Sequence, residues 1–345
     1  MKLWNKEFTQ KELLQRVGDI RQLAGAEPFE FVDGNQRGAR AVRVWNAAGL
    51  DFTVLSERGM SIGALSFHGV PLSFTSPSGV VHPSFLEGQP LSWLRTWMGG
   101  FLTTCGLTQV GSPVEVDGQW LGQHGRAANQ PASHVRWGCE WQATDYWIWV
   151  EGLVQESVVF GENLALKRRI WTKLNEPRLW ISDQVENLGF RPTPHMFLQH
   201  LNLGFPLIDA TSHLDLPDCQ TMPRDEAALP GLDTCREFQP PTAGYHEQVF
   251  YHEKLVAGSD GRVQVRLTNP DFNNGQGLAL TIRFRPAEYP VLVEWKMMGE
   301  GLYVVGLEPA NCHVEGQVRE QERGSLVTLL PGETRQYHLE FDFSL

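Results

Sequence analysis

Four segments carry the residue types that could do chemistry. LGQHGR, residues 121–126, is a glycine-flanked turn holding His124 and Arg126. HMFLQHLNLGFP, residues 195–206, reads as a strand with Met196, Leu198, His200 and Asn202 on one face and His195, Phe197 and Gln199 on the other. His200 and Asn202 are then same-face neighbours, roughly 7 Å apart along the chain. AGYHEQVFYH, residues 243–252, carries Glu247 at the end of a proline-rich stretch. GLYVVGLEPANC, residues 301–312, is apolar on both faces, as in a strand buried between two layers, until Glu308 appears. Pro309 is expected to stop the ladder there. Trp295 and Lys296 in VEWKMMG are adjacent on a strand, so only one of them can face a shared pocket.

Most cofactor chemistries lack their motifs. There is no HxH and no HExxH, and His195 and His200 fall on opposite strand faces, so metal ligation is not expected. No P-loop and no GxGxxG follows a strand, and GGFLTTCG (99–106) is no phosphate cradle. No GxSxG elbow exists for acyl transfer. Nothing adjacent in sequence would activate Cys105 as a nucleophile. Each candidate also has a purely structural reading: a satisfied core histidine, a turn-closing Asn202, a solvated Glu247, a buried ion pair for Glu308. Taken together, a carboxylate, histidines, one or two arginines and aromatic surface form the inventory of general acid–base work on a sugar, without a cofactor. The twelve tryptophans fit, since indoles stack on apolar sugar faces.

The elements that must position these groups are strands. The first 25 residues are the exception. Thr9 and Glu12 make a capping box, Leu13, Val17, Ile20 and Ala24 follow at helical spacing, and Gly25 closes the segment. After that the period is two: Leu50, Phe52, Val54; Leu164, Leu166, Ile170; Leu179, Ile181, Val185; Leu278, Leu280, Ile282, Phe284; Tyr337, Leu339, Phe341, Phe343. Turn signals such as FGEN, KLNEP, DGR and LPGE separate the runs, which predicts an antiparallel sandwich or barrel. Two proline-rich stretches, 71–100 and 209–246, read as functional walls or lids. No linker or repeat divides residues 1–345, so one domain is expected.

A net charge of -11 and the lack of a basic run argue against nucleic acid as a partner. No apolar run is long enough to span a membrane. The N-terminal stretch has no signal-peptide core, and five scattered cysteines without a CxxC read as reduced thiols, so a cytoplasmic location is expected.

ERGMSIGALSFHGVPL (57–72), GGFLTTCGL (99–107), QHGR (123–126), HLNLGFP (200–206) and WKMMGEGLYVVGLEPANC (295–312) together resemble the galactose mutarotase-like (aldose 1-epimerase) superfamily, in a branch known only as a domain of unknown function. The resemblance covers nearly the whole chain and implies an all-β antiparallel supersandwich. It also implies a cofactor-free interconversion of sugar anomers, with Glu308 as base, His200 as acid and His124 as a sugar-binding residue. Arg95 or Arg126, and Glu247, are candidates for the superfamily's sugar-binding arginine and acid. The expected partner is a small sugar, an aldose or a sugar acid. A silent sugar-binding or sensor protein, and an isomerase or epimerase working at another carbon, stand as alternatives.

Overall fold

The computed structural model describes residues 1–345. Two antiparallel sheets dominate it, one of twelve strands and one of eight, and the chain is an all-β supersandwich. The alternating apolar residues do what their period requires. Leu50, Phe52 and Val54, Leu164, Leu166 and Ile170, and Leu278, Leu280, Ile282 and Phe284 all turn into the main core between the sheets. In the C-terminal strand Thr334–Ser344, Tyr337, Leu339, Phe341 and Phe343 join them. A fully buried ion pair crosses this layer: Arg168 grips Asp183 through Nε and Nη2 at 2.8 and 2.7 Å, and Gln199 bonds both partners.

The N-terminal segment is less helical than its spacing implies. The capping box forms, but the helix spans only Gln10–Leu14. A residue as permissive as Gly18 interrupts the run. Asp19 then accepts from the Arg21 amide and starts a separate 3-10 turn, Ile20–Gln22.

The larger sheet has a second occupied face. In the strand Thr193–Gly204, Phe197, Leu201 and Leu203 enter the main core, while Met196 and Leu198 join a smaller cluster on the reverse with Trp93, Trp97, Val249, Val293 and Val314. This reverse face is covered by the stretch 71–100, which contains the short helix Trp93–Thr96, and by the stretch 209–246, which contains the edge strand Gln220–Pro223. No helix is long and apolar enough to cross a membrane.

Candidate active site

A cavity of about 430 Å³ opens on that reverse face. Its floor comes from three neighbouring strands: Thr193–Gly204, Leu302–Ala310 and Val291–Gly299. The first two pair with Leu201 opposite Leu307 and Leu198 opposite Ala310. Carrying that register through sets His200 opposite Glu308 and Gln199 opposite Pro309, the two steps at which no ladder pairing is made. The strand therefore does not stop at Pro309, as expected, but continues to Ala310. The proline's missing N–H falls where the ladder is already open.

Across this gap the side chains meet. His200 Nε2 stands 3.2 Å from Glu308 Oε1, a close approach not aligned as a hydrogen bond, and both residues are buried. Burial pushes the Glu308 carboxyl well above the usual range, with the charge of Glu247 adding and Arg224 opposing. Burial also pushes His200 well below the usual imidazole value, and His124 beside it adds to the shift. The favoured form of the pair is the neutral acid beside the neutral imidazole.

His124 completes the polar floor. Its ring centroid is 5.5 Å from that of His200 and 4.6 Å from Trp93. It adopts a left-handed backbone, with φ of 53°, which is uncommon for a residue with a side chain and recurs at functional sites. Gly125 follows with φ of 73°, and a Cβ there would lie 2.4 Å from the Gln109 carbonyl oxygen. The HG pair is thus set by a close backbone approach that only glycine allows. Burial holds the His124 pKa at about 4.

The walls are aromatic and charged. Trp97 and Trp295 lie 6.0 and 5.7 Å from the His200 ring. Trp295 Nε1 donates to Glu247 Oε2 at 2.7 Å, and Arg224 Nη2 donates to Glu247 Oε1 at 3.1 Å. Arg224 also holds Asp225, 2.7 Å away. Trp93 Nε1, Trp97 Nε1, Gln123 Oε1, His124 Nδ1, His200 Nδ1 and Glu308 Oε1 are buried here without a hydrogen-bond partner. Each such group costs about 1–3 kcal/mol when left unsatisfied. Their concentration around one cavity suits a ligand rich in donors and acceptors.

The structure brings together His124, His200, Glu247, Trp295 and Glu308 from the sequence-derived set. The other four lie elsewhere. Asn202 is on the His200 face but buried, and its amide is spent on the carbonyls of Gly99, Gly100 and His200. Lys296 points to the opposite face from Trp295 and donates to the carbonyls of Thr234 and Glu237. Arg95 and Arg126 are exposed, each 3.7 Å from a surface acid, Glu87 and Glu162 respectively. The sequence reading passed over Trp93, Trp97, Arg224 and Asp225. Their only signal was membership of the two proline-rich stretches. Nowhere in the chain do three His, Cys, Asp or Glu side chains converge as a metal site would require.

With this geometry in hand, comparison with known proteins places the chain. Residues 36–343 match the model of the family described as "Domain of unknown function (DUF4432)". The chain belongs to this family, a branch of the galactose mutarotase-like superfamily. A candidate aldose 1-epimerase from Klebsiella pneumoniae is similar in structure, with a TM-score of 0.87 and 25% identity over 97% of this chain and 86% of that one. A galactose 1-epimerase from Lactobacillus acidophilus superposes with a TM-score of 0.60 at 16% identity, over 93% of this chain and 99% of that one. A galactose mutarotase-like protein from Clostridium acetobutylicum gives 0.61 at 12% identity, over 94% and 99%. The last two share the fold alone. Comparison with curated proteins finds no match.

Proposed function

We propose that this protein is a cofactor-free mutarotase, interconverting the anomers of a small sugar by acid–base catalysis. The observation that carries the reading is the His200–Glu308 pair, held across an open step of the ladder on the floor of an aromatic-walled cavity.

Ring opening needs a base for the anomeric hydroxyl and an acid for the ring oxygen. Glu308, as carboxylate, takes the proton from the hydroxyl. His200, as imidazolium, gives its proton to the ring oxygen as the carbon–oxygen bond breaks. The open aldehyde rotates about its neighbouring carbon–carbon bond, and the steps reverse. The pair carries one proton before and after opening. Opening is preceded by transfer of the Glu308 proton to His200 in the sugar-bound site, so the step itself starts from carboxylate and imidazolium and returns the pair to neutral acid and neutral imidazole. Burial favours the neutral form, so desolvation assists the ring-opened state. Sugar hydroxyls supply donors and acceptors for the unpartnered atoms of the walls. His124 orients the sugar, and Trp93, Trp97 and Trp295 offer stacking surface.

The test is saturation exchange between anomers, followed by NMR over a panel of aldoses and sugar acids. Glu308→Gln keeps the shape and removes the base, so exchange should fall by about 10²–10⁴ while the protein stays folded. Binding without exchange by the unaltered protein would support a sensor. A new sugar product would support epimerisation at another carbon. A folded, fully active Glu308→Gln variant would overturn the assignment of the base.

A further inference from the structure

Behind the cavity, the same strands present a second set of reactive groups that the proposed mechanism does not use. Val249 and Val293 face the cavity, while His252 and Glu294 face the other way. His252 Nε2 lies 3.0 Å from Glu294 Oε2, and both side chains are fully buried. His252 Nδ1 lies 2.9 Å from the hydroxyl of Thr221, its cross-strand partner. Thr221 Oγ1 is in turn 3.7 Å from Cys219 Sγ. On its other side Cys219 accepts from Arg236 Nη2 at 3.5 Å. Cys219 as a residue is partly exposed.

The hydrogen-bond chain can be followed outward from its buried end. Glu294 keeps one carboxylate oxygen without a partner. Its charge is balanced by the adjacent imidazole. Burial alone would lower the His252 pKa, but Cys219 and Glu294 outweigh it and raise the value. An imidazolium donates from both nitrogens, so Nδ1–H is given to Thr221 Oγ1. The threonine hydroxyl is then free to give its own proton to its remaining neighbour, the sulfur. A thiolate at Cys219 receives that O–H and the Arg236 guanidinium together. Burial raises the thiol's pKa, but His252, Thr221 and Arg236 outweigh it and lower the value.

We propose that Cys219 is a nucleophilic thiol and a site of covalent modification by hydroperoxides, activated by Arg236 and by the Thr221–His252–Glu294 relay. The thiolate attacks one peroxide oxygen. The O–O bond breaks, sulfur is oxidised by two electrons to the sulfenic acid, and the peroxide is reduced. The departing oxygen anion, alkoxide or, from hydrogen peroxide, hydroxide, takes a proton relayed from His252 through Thr221 and leaves as the alcohol or as water. This inference does not depend on the proposed sugar chemistry.

Cys139 is the internal control: it is also partly exposed, but burial raises its pKa. The intact protein is treated with hydrogen peroxide in the presence of dimedone, and tagging at each cysteine peptide is followed by mass spectrometry. Cys219 should be tagged at least about tenfold faster than Cys139 at neutral pH, because thiolate fraction sets the rate. Arg236→Gln should slow Cys219 severalfold and leave Cys139 unchanged. Thr221→Val should do the same by breaking the relay, and it serves if the arginine variant exposes the buried Cys105 and Cys312 by unfolding. Tagging of Cys139 as fast as Cys219 in the unaltered protein would overturn the proposal. So would variants at Arg236 and Thr221 that stay folded and leave Cys219 tagging unchanged.

Discussion

Glu308 folds its carboxylate back over Gly306, so that Oε1 stands 2.3 Å from the point where a Cβ on residue 306 would sit. The two residues share a strand face, and the absent side chain makes the room in which the acid turns towards His200. Gly306→Ala should therefore push the carboxylate away from the histidine. Anomer exchange is expected to fall at least about tenfold, while overpacking lowers stability by about 1–3 kcal/mol. Exchange kinetics and a melting curve on one sample check both. Undiminished exchange would show that the carboxylate's position does not matter.

Behind His200, the ion pair of Arg168 and Asp183 is wholly buried. Asp183→Asn should leave the guanidinium without a counter-charge and cost about 3–5 kcal/mol in chemical denaturation. Replacing both residues by apolar side chains of similar volume should cost much less. Equal losses from the single and double changes would mean the charges themselves are unimportant.

His313 joins two elements by donating to Glu253 and Glu320 at 2.7 and 3.0 Å. Burial and the nearby Arg323 work against its charge, but Glu320 and Glu253 outweigh them and raise its pKa. A raised folded-state value means the stabilisation is fully present below the unfolded value near 6.5 and is lost as pH rises through the folded value. His252 shifts the same way, whereas the depressed His124, His195 and His200 act below pH 6.5. The melting temperature should therefore fall as pH rises above 6.5, and His313→Gln should flatten part of that fall. Parallel curves for the two proteins would remove His313 from the account.

The strands were legible because each buries one apolar face, and period two survives in almost any packing. The face assignment along residues 195–202 held for the same reason. The resemblance to mutarotase-like proteins pointed to His200, Glu308 and His124, and the register explains why the first two meet. What the sequence could not convey was which loop reaches back over the sheet. Arg224 and Trp93 enter the cavity from irregular segments with no period to read. Arg95 and Arg126 looked equally suitable, but their chain directions carry them to solvent. Pro309 misled because a proline ends a ladder only where its N–H would have been used.

Of the adjacent Trp295 and Lys296, only the tryptophan lines the cavity, as alternation along a strand requires. If Lys296 faced the sugar, it would favour anionic substrates. Instead its ammonium is fixed on two backbone carbonyls behind the sheet, and burial lowers its pKa. The one cation lining the cavity, Arg224, is already paired with Asp225 and Glu247, and Glu315 adds a further acid at the wall. A sugar carboxylate would find no free positive charge there. Neutral aldoses should accordingly bind at least about tenfold more tightly than the corresponding sugar acids, a difference that like-charge repulsion can supply. Lys296→Met should weaken both classes equally, if at all. Its measurable effect should be on stability, about 1–3 kcal/mol from the loss of two hydrogen bonds made by a charged donor. Titration calorimetry with one aldose and its uronic acid, on both proteins, decides the matter. A loss confined to the acid in Lys296→Met would restore the lysine to the site.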